Sequence, residues 1–221
     1  MDEFKIIDIA GNEEHQFTPE SFRTTGFLEA SGLILMTGIT ESNLKDAITI
    51  AKSAHESGTV TVGIISGNIN PLNQNMKGFL DFADAVIVSW VKNEDSSRAI
   101  TDSISALVTE SGFVNIDIED VEDILRNAGT VYFGTGTAKS SGVAALKASE
   151  MCGDITNAKR VLMNITTGTE TMLSEMSEAA HVIAMNADPD AQIIWGHVID
   201  ESIGANVRVS IFAAMNDKGR L

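Results

Sequence analysis

Three uninterrupted apolar runs, Gly32 to Thr37 (GLILMT), Val60 to Ile65 (VTVGII) and Ala85 to Trp90 (AVIVSW), are separated by stretches with a helical apolar rhythm. A strand with one wet face alternates apolar and polar residues. A run that is apolar at every position has both faces covered, as in a parallel sheet flanked by helices. Lys5 to Ile9 adds a β-rich run upstream. Between GLILMT and VTVGII, Leu44, Ala47, Ile48, Ala51, Ala54 and His55 form a helical stripe that begins after Thr40 to Asn43 and stops at Gly58. Met76, Phe79 and Leu80 suggest the next helix. The first half therefore reads as βαβαβ, an α/β arrangement.

The second half is mixed. A long helix over 94–110 carries Ile100, Ile104, Leu107 and Val108 on one face. The rhythm then predicts helix 120–128, strand 130–134, helix 141–151, strand 161–166, helix 170–186, and strands 192–199 and 206–213, an α+β order. A chain of 221 residues with 43% hydrophobic content can bury a sizeable core, as one large or two small domains. No repeat, low-complexity tract or Pro/Gly/Ser linker interrupts it, so tightly joined domains are expected.

Composition excludes several classes of function. The formal net charge of −16, without a Lys/Arg cluster, repels phosphate backbones and anionic lipid surfaces. No apolar run of about 18 residues and no basic leader with an apolar core is present, so neither a membrane span nor a signal peptide is indicated. The lone Cys152 offers no disulfide framework and suits a reducing, cytoplasmic setting.

Candidate chemistry centres on SGFVNIDIEDVEDIL, from Ser111 to Leu125, where Asn115, Asp117 and Asp120 stand in Asn-x-Asp-x-x-Asp spacing before an amphipathic helix. Asp117 is placed to cap that helix, and Asp120 lies in its first turn, facing the open amides and the positive end of the dipole. Val121, Ile124, Leu125 and Ala128 form the apolar stripe, with Gly129 as the C-terminal cap. For an isolated Asp-x-x-Asp, a capped helix is the ordinary meaning.

The surroundings add to that meaning. The stretch resembles the loop before the first C-terminal-domain helix of the bacterial and archaeal cell-division protein FtsZ, a tubulin homologue, whose pattern is G-[LF]-[IV]-N-x-D-x-x-D-V. Ala158 to Thr166 (AKRVLMNIT) is similar to that family's A-R-G-V-L-L-N-I-T strand, and EAA at 178–180, DPDA at 188–191, IIWG at 193–196, VIDE at 198–201 and VRV at 207–209 follow in the family's order. The resemblance implies a reduced FtsZ/tubulin-like parallel sheet over 1–93, a connecting helix over 94–110, and an FtsZ-like C-terminal domain over 111–221 with a mixed four-stranded sheet. It also implies that Asn115, Asp117 and Asp120 form a catalytic loop that enters the GTP pocket of the next protomer and helps polarise the attacking water.

The pocket itself is reduced. Where the family has G-G-G-T-G-T-G after the second strand, this chain has Gly38-Ile39-Thr40-Glu41-Ser42-Asn43, and the first glycine loop is represented only by Ala10-Gly11-Asn12. Glycine-rich loops bind phosphate through converging backbone amides, and Glu41 would oppose the phosphate charge. Gly11, Asn12, Gly38 and Asn93 are the vestiges to watch, and bound GTP with Mg is expected only if they still form a pocket. Gly134-Thr135-Gly136-Thr137 copies part of the signature but falls in the wrong domain; its glycines are expected to serve close packing and a turn, with Lys139, Ser140 and Ser141 beside it.

Other features are bland. His15, His55, His181 and His197 are scattered without metal-ligand spacing, no G-x-S-x-G elbow occurs, and no metal site is expected. Met163, Met172, Met176 and Met185 read as core filler, and Trp90 and Trp195 sit in strand runs.

The leading expectation is an FtsZ-like pseudo-GTPase that docks head-to-tail by its retained loop on an FtsZ/tubulin-like partner, regulating or capping a filament. A protomer with one functional end can bind but cannot extend. The alternatives are a GTP-binding GTPase acting by self-association and a non-enzymatic homodimeric module on an inherited fold. The chain ends at Leu221, and direct membrane anchoring through a flexible tail is not expected.

Overall fold

The computed structural model describes residues 4–9, 32–65, 74–89, 94–109, 112–169 and 173–215. The β-rich runs become β1 (Phe4–Asp8), β2 (Leu33–Ile39), β3 (Val60–Ile65) and β4 (Ala85–Ser89), with α1 (Leu44–Glu56) after β2 and α2 (Gln74–Leu80) after β3. Next come α3 (Glu94–Thr109), α4 (Ile118–Leu125), β5 (Gly129–Ala138), α5 (Ser141–Cys152), β6 (Arg160–Thr167), α6 (Leu173–Asn186), β7 (Gln192–Ile199) and β8 (Val207–Ala214).

These strands form one eight-stranded sheet in the order β1-β2-β3-β4-β5-β8-β6-β7. Every neighbouring pair is parallel except the two made by β8, which runs antiparallel to both β5 and β6. The parallel half and the mixed four-stranded half are both as anticipated. Their separation into two sheets is not: the 130–134 run lies beside β4, in the same sheet as GLILMT.

The cause is the edge of β4. Ala85, Val86, Ile87 and Ser89 are all buried, so an unpaired edge there would leave amides and carbonyls without water. The first half of β5 pairs with it from Gly129 to Phe133. The boundaries at 93 and 110 therefore do not coincide with a break in the sheet.

Helices cover both faces. α3 and α4 lie on one face, over Leu35, Val62, Ile87, Phe133, Leu162 and Phe212. On the other, α1 and α2 cover β1–β4, while α5 and α6 cover the mixed half. α3 touches β2 and β3 as well as β6 and β7, and so spans both halves. Phe133 and Phe212 are register partners on β5 and β8 with ring centroids 5.0 Å apart, an aromatic pair that contributes about 1 kcal/mol beyond its buried area.

Local departures have simple causes. α4 begins at Ile118 and ends at Leu125, so Ala128 is buried beyond the helix, and the left-handed residue after it is Asn127 (φ 52°), with Gly129 (φ 66°) opening β5 rather than capping. The α1 stripe is rotated: Ile50 is buried, whereas Ile48 is only partly so and His55 is exposed, its ring edge-on to Phe82. Met163 and Met176 are core residues, but Met185 is 73% exposed, and Met172 and Trp90 fall outside the described residues.

Candidate functional site

The acidic loop runs along β7, the edge strand of the sheet. Its backbone is held at successive residues. His197 N–H donates to the Val114 carbonyl at 2.9 Å, Phe113 N–H donates to His197 Nδ1 at 3.1 Å, and Gly112 N–H donates to Asn115 Oδ1 at 3.1 Å. Ile116 is the loop's plug, 6% exposed, and Gly196 leaves room for it, since a Cβ there would meet Ile116 Cδ1 at 2.9 Å and Leu107 Cδ2 at 2.7 Å. Gly112 is equally constrained: a Cβ would fall 1.7 Å from the His197 carbonyl oxygen.

On this fixed backbone Asn115, Asp117 and Asp120 are exposed. Their roles divide. Asn115 uses its carbonyl oxygen to close the loop. Asp117 occupies the N-cap position with extended backbone (φ −77°, ψ 153°), and its main-chain oxygen accepts from Asp120 and Val121, but its side chain makes no capping hydrogen bond. Among the described residues neither the Asp117 nor the Asp120 carboxylate has a hydrogen-bond or ion-pair partner. Glu119 and Asp123 are exposed beside them, and the segment 112–125 contributes no basic residue of its own. Glu122 is held above the ordinary carboxylate range by partial burial, offset in part by Arg126 at 3.0 Å. Arg160 on β6 donates to the main-chain oxygens of Asp123 and Arg126, at 2.8 Å each, satisfying the helix's last carbonyls and docking α4 on the sheet.

Scattered in the sequence and without metal-ligand spacing, His197 is a buried residue with a specific task. It is the loop's anchor, 1% exposed, with Nε2 2.8 Å from Thr167 Oγ1 and the ring stacked on Phe113 at 5.3 Å. Burial holds its imidazole below the ordinary value of 6.5, favouring the neutral form in the folded state. The unfolded chain therefore binds the extra proton first, and the stabilisation is full above about pH 6.5 and is lost as pH falls through the lower folded value. We expect the urea midpoint of the parent to drop more between pH 7.5 and 5.5 than that of His197→Gln; equal drops would show that the histidine carries no such linkage.

Of the four residues expected as vestiges of a nucleotide pocket, Gly38 is among the described residues. Gly11, Asn12 and Asn93 lie outside the described residues, as does His15. Gly38 has a left-handed backbone (φ 69°), and the turn after it is closed by Asn43. Asn43 Oδ1 accepts from Thr40 N–H at 2.7 Å, and its amide donates to the carbonyls of Gly38 at 2.9 Å and Ile9 at 3.4 Å. One amide that a phosphate would need is thus already used, and Glu41 is exposed on the same turn. Gly134 and Gly136 are strand residues that let α5 approach, with Cβ positions 2.2 Å from the Ala148 carbonyl and 2.3 Å from that of Ala144. The expected close packing is present; the expected turn is not. At the N-terminus of α5, Glu178 from α6 accepts from Ser141 Oγ at 3.0 Å, which places a carboxylate of the protein itself near the positive end of that helix.

A cleft of about 740 Å³ also opens between α3 and the mixed half of the sheet, floored by Thr135, Asn164, Thr166 and Ser210. Among the described residues no three His, Cys, Asp or Glu side chains gather as a metal site, and no helix is long and apolar enough to cross a membrane.

Comparison with known proteins agrees with this geometry. Residues 128–216 match the FtsZ family, C-terminal domain. The cell division protein FtsZ of Haloferax mediterranei is 28% identical over 75% of this chain and 52% of its own length, so the chain spans about half of that relative. Among solved structures, an FtsZ mutant from M. jannaschii superposes with a TM-score of 0.73 at 20% identity, covering 91% of this chain and 72% of that one. CetZ2 from Haloferax volcanii, solved as a GTPγS-bound protofilament, gives 0.63 at 16% identity, covering 90% and 74%. Residues 128–216 thus carry an FtsZ-type C-terminal domain, and the chain as a whole shares the fold of the FtsZ structures it superposes on.

Proposed function

We propose that this protein docks by its Asn115–Asp120 loop on the nucleotide-bearing face of an FtsZ-like protomer, or of a second copy of itself, and regulates or caps filament assembly without holding nucleotide of its own. The observation that carries this reading is the contrast inside the loop: its backbone is fixed by His197, Gly196 and Asn115, while the Asp117 and Asp120 carboxylates are exposed and unused within the described chain. A rigid backbone presenting unpaired carboxylates is suited to act on water or a cation held by another molecule, because its groups need no reorganisation on docking. The self-closed turn at Gly38–Asn43 supports the second half of the proposal. The relative solved as a protofilament is the kind of assembly into which such a protomer would fit.

The test is to titrate the purified chain into full-length M. jannaschii FtsZ with Mg-GTP and follow sedimentation and phosphate release. A change in either that saturates with added chain is the expected result. No change at a several-fold molar excess would remove this reading for an FtsZ partner, and self-association of the chain alone would redirect it to a second copy. Calorimetry of the chain with Mg-GTP is expected to give no saturable heat in the micromolar range. A dissociation constant near or below about 1 μM, corresponding to about 8 kcal/mol, would overturn the claim that the pocket is lost.

A further inference from the structure

We propose that His197 is a positioning residue for the acidic loop, a neutral imidazole protonated on Nε2 that fixes the backbone at Phe113 and thereby the direction in which Asp117 and Asp120 are presented. The presentation of the loop can be measured on the chain alone; its consequence for a partner rests on the proposed function.

Donor and acceptor roles leave one arrangement. The Phe113 N–H can only donate, so His197 Nδ1, 3.1 Å away, must hold a lone pair. A neutral ring then carries its proton on Nε2, which donates to Thr167 Oγ1 at 2.8 Å. The Thr167 hydroxyl has its own proton free and donates it to the Gly168 carbonyl at 2.8 Å. The relay runs in one direction from the loop into the turn after β6, and every proton in it has an acceptor.

The same residue holds the loop in two further ways. Its backbone N–H binds the Val114 carbonyl, and its ring stacks on Phe113 with an interplanar angle of 19°. Gly112 can pass only because it has no side chain against the His197 carbonyl. Contacts to three consecutive residues, 112 to 114, set the exit direction of the chain just before Asn115. Phe113 itself is 63% exposed, so its ring is kept in place by the imidazole rather than by a core. No other side chain both accepts at the δ position and donates at the ε position. Asn reproduces the first function and Gln the second.

That difference supplies the experiment. Nitrogen-15 NMR of the histidine ring in the parent chain should show Nε2 protonated and Nδ1 bare at neutral pH. Hydrogen exchange at the Phe113 amide should stay within about threefold of the parent in His197→Asn and rise roughly tenfold in His197→Gln, the range expected for loss of one hydrogen bond. In the M. jannaschii FtsZ assay, His197→Asn should retain the parent's effect on phosphate release and His197→Gln should lose most of it. A proton on Nδ1 in the parent, or equal exchange in the two variants, would overturn the positioning role. The exchange contrast without any effect of the parent on FtsZ would leave the positioning role standing and remove the proposed function instead.

Discussion

Asp117→Asn and Asp120→Asn are each expected to abolish the chain's effect on a partner's GTP hydrolysis while leaving its melting temperature almost unchanged. The two halves of that expectation have separate causes. Asn is as good an N-cap as Asp, and the Asp117 side chain makes no capping bond, so the cost at this position is below the ~1 kcal/mol of a lost cap. Removing a first-turn charge at Asp120 costs about 0.3–1 kcal/mol, which in a chain of this size lowers the melting temperature by about 1–4 °C. Function is more exposed to the change. A preorganised charged group aimed at a reacting centre is worth on the order of a hundredfold in rate, and an uncharged amide does not replace it. Docking should weaken less than stimulation, since Phe113 and the loop backbone remain in place. If both variants act on the partner as strongly as the parent, the carboxylates are surface charge and the loop is only a helix entry.

The strands were legible because an apolar run that is continuous over five or six residues has few other uses, and VTVGII at 60–65 has the same limits in the structure as in the sequence. The acidic loop was legible because its spacing and its downstream companions recur together in a family. What holds the loop was not. His197 binds Phe113 across 84 positions and Thr167 across 30, and nothing in the residues around a single histidine distinguishes a solvent-facing ring from a buried anchor. Gly196 beside it gave a signal that could have been used, because a glycine inside a strand marks close approach. The closure of the Gly38–Asn43 turn was also hidden, since it depends on which way one asparagine amide points. Continuity of the sheet was missed for a different reason. Pairing between β4 and β5 is a contact between elements separated by two helices, and the family pattern suggested a division where the buried edge of β4 required a neighbour.

That seam gives the largest expected effect on stability. Asp84, 7% exposed, stands just before β4 and uses all of its polar groups. Its N–H donates to the Thr61 carbonyl at 2.8 Å, and its own carbonyl accepts from Gly129 N–H at 2.9 Å. Oδ2 accepts from Thr61 N–H at 3.0 Å and Oδ1 from Asn127 N–H at 3.1 Å. One residue thus fastens β3, its own strand and the turn into β5, where Asn127 adopts its left-handed backbone. Asp84→Ala removes a charged acceptor from two amides, of which the Thr61 amide belongs to a residue with no exposed surface. At about 1–3 kcal/mol for each donor left unsatisfied, we expect a loss of roughly 3 kcal/mol and a melting temperature lower by about 10 °C. Asp84→Asn should recover only part of this, because one of its two side-chain atoms becomes a donor facing a donor. Hydrogen exchange tells global from local loss. If Asp84 joins the halves, Val86–Ser89 and Thr130–Phe133 lose protection together in Asp84→Ala. A loss under about 1 kcal/mol, or exchange confined to one side of the seam, would mean that the two halves are held by α3 and the Phe133–Phe212 face instead.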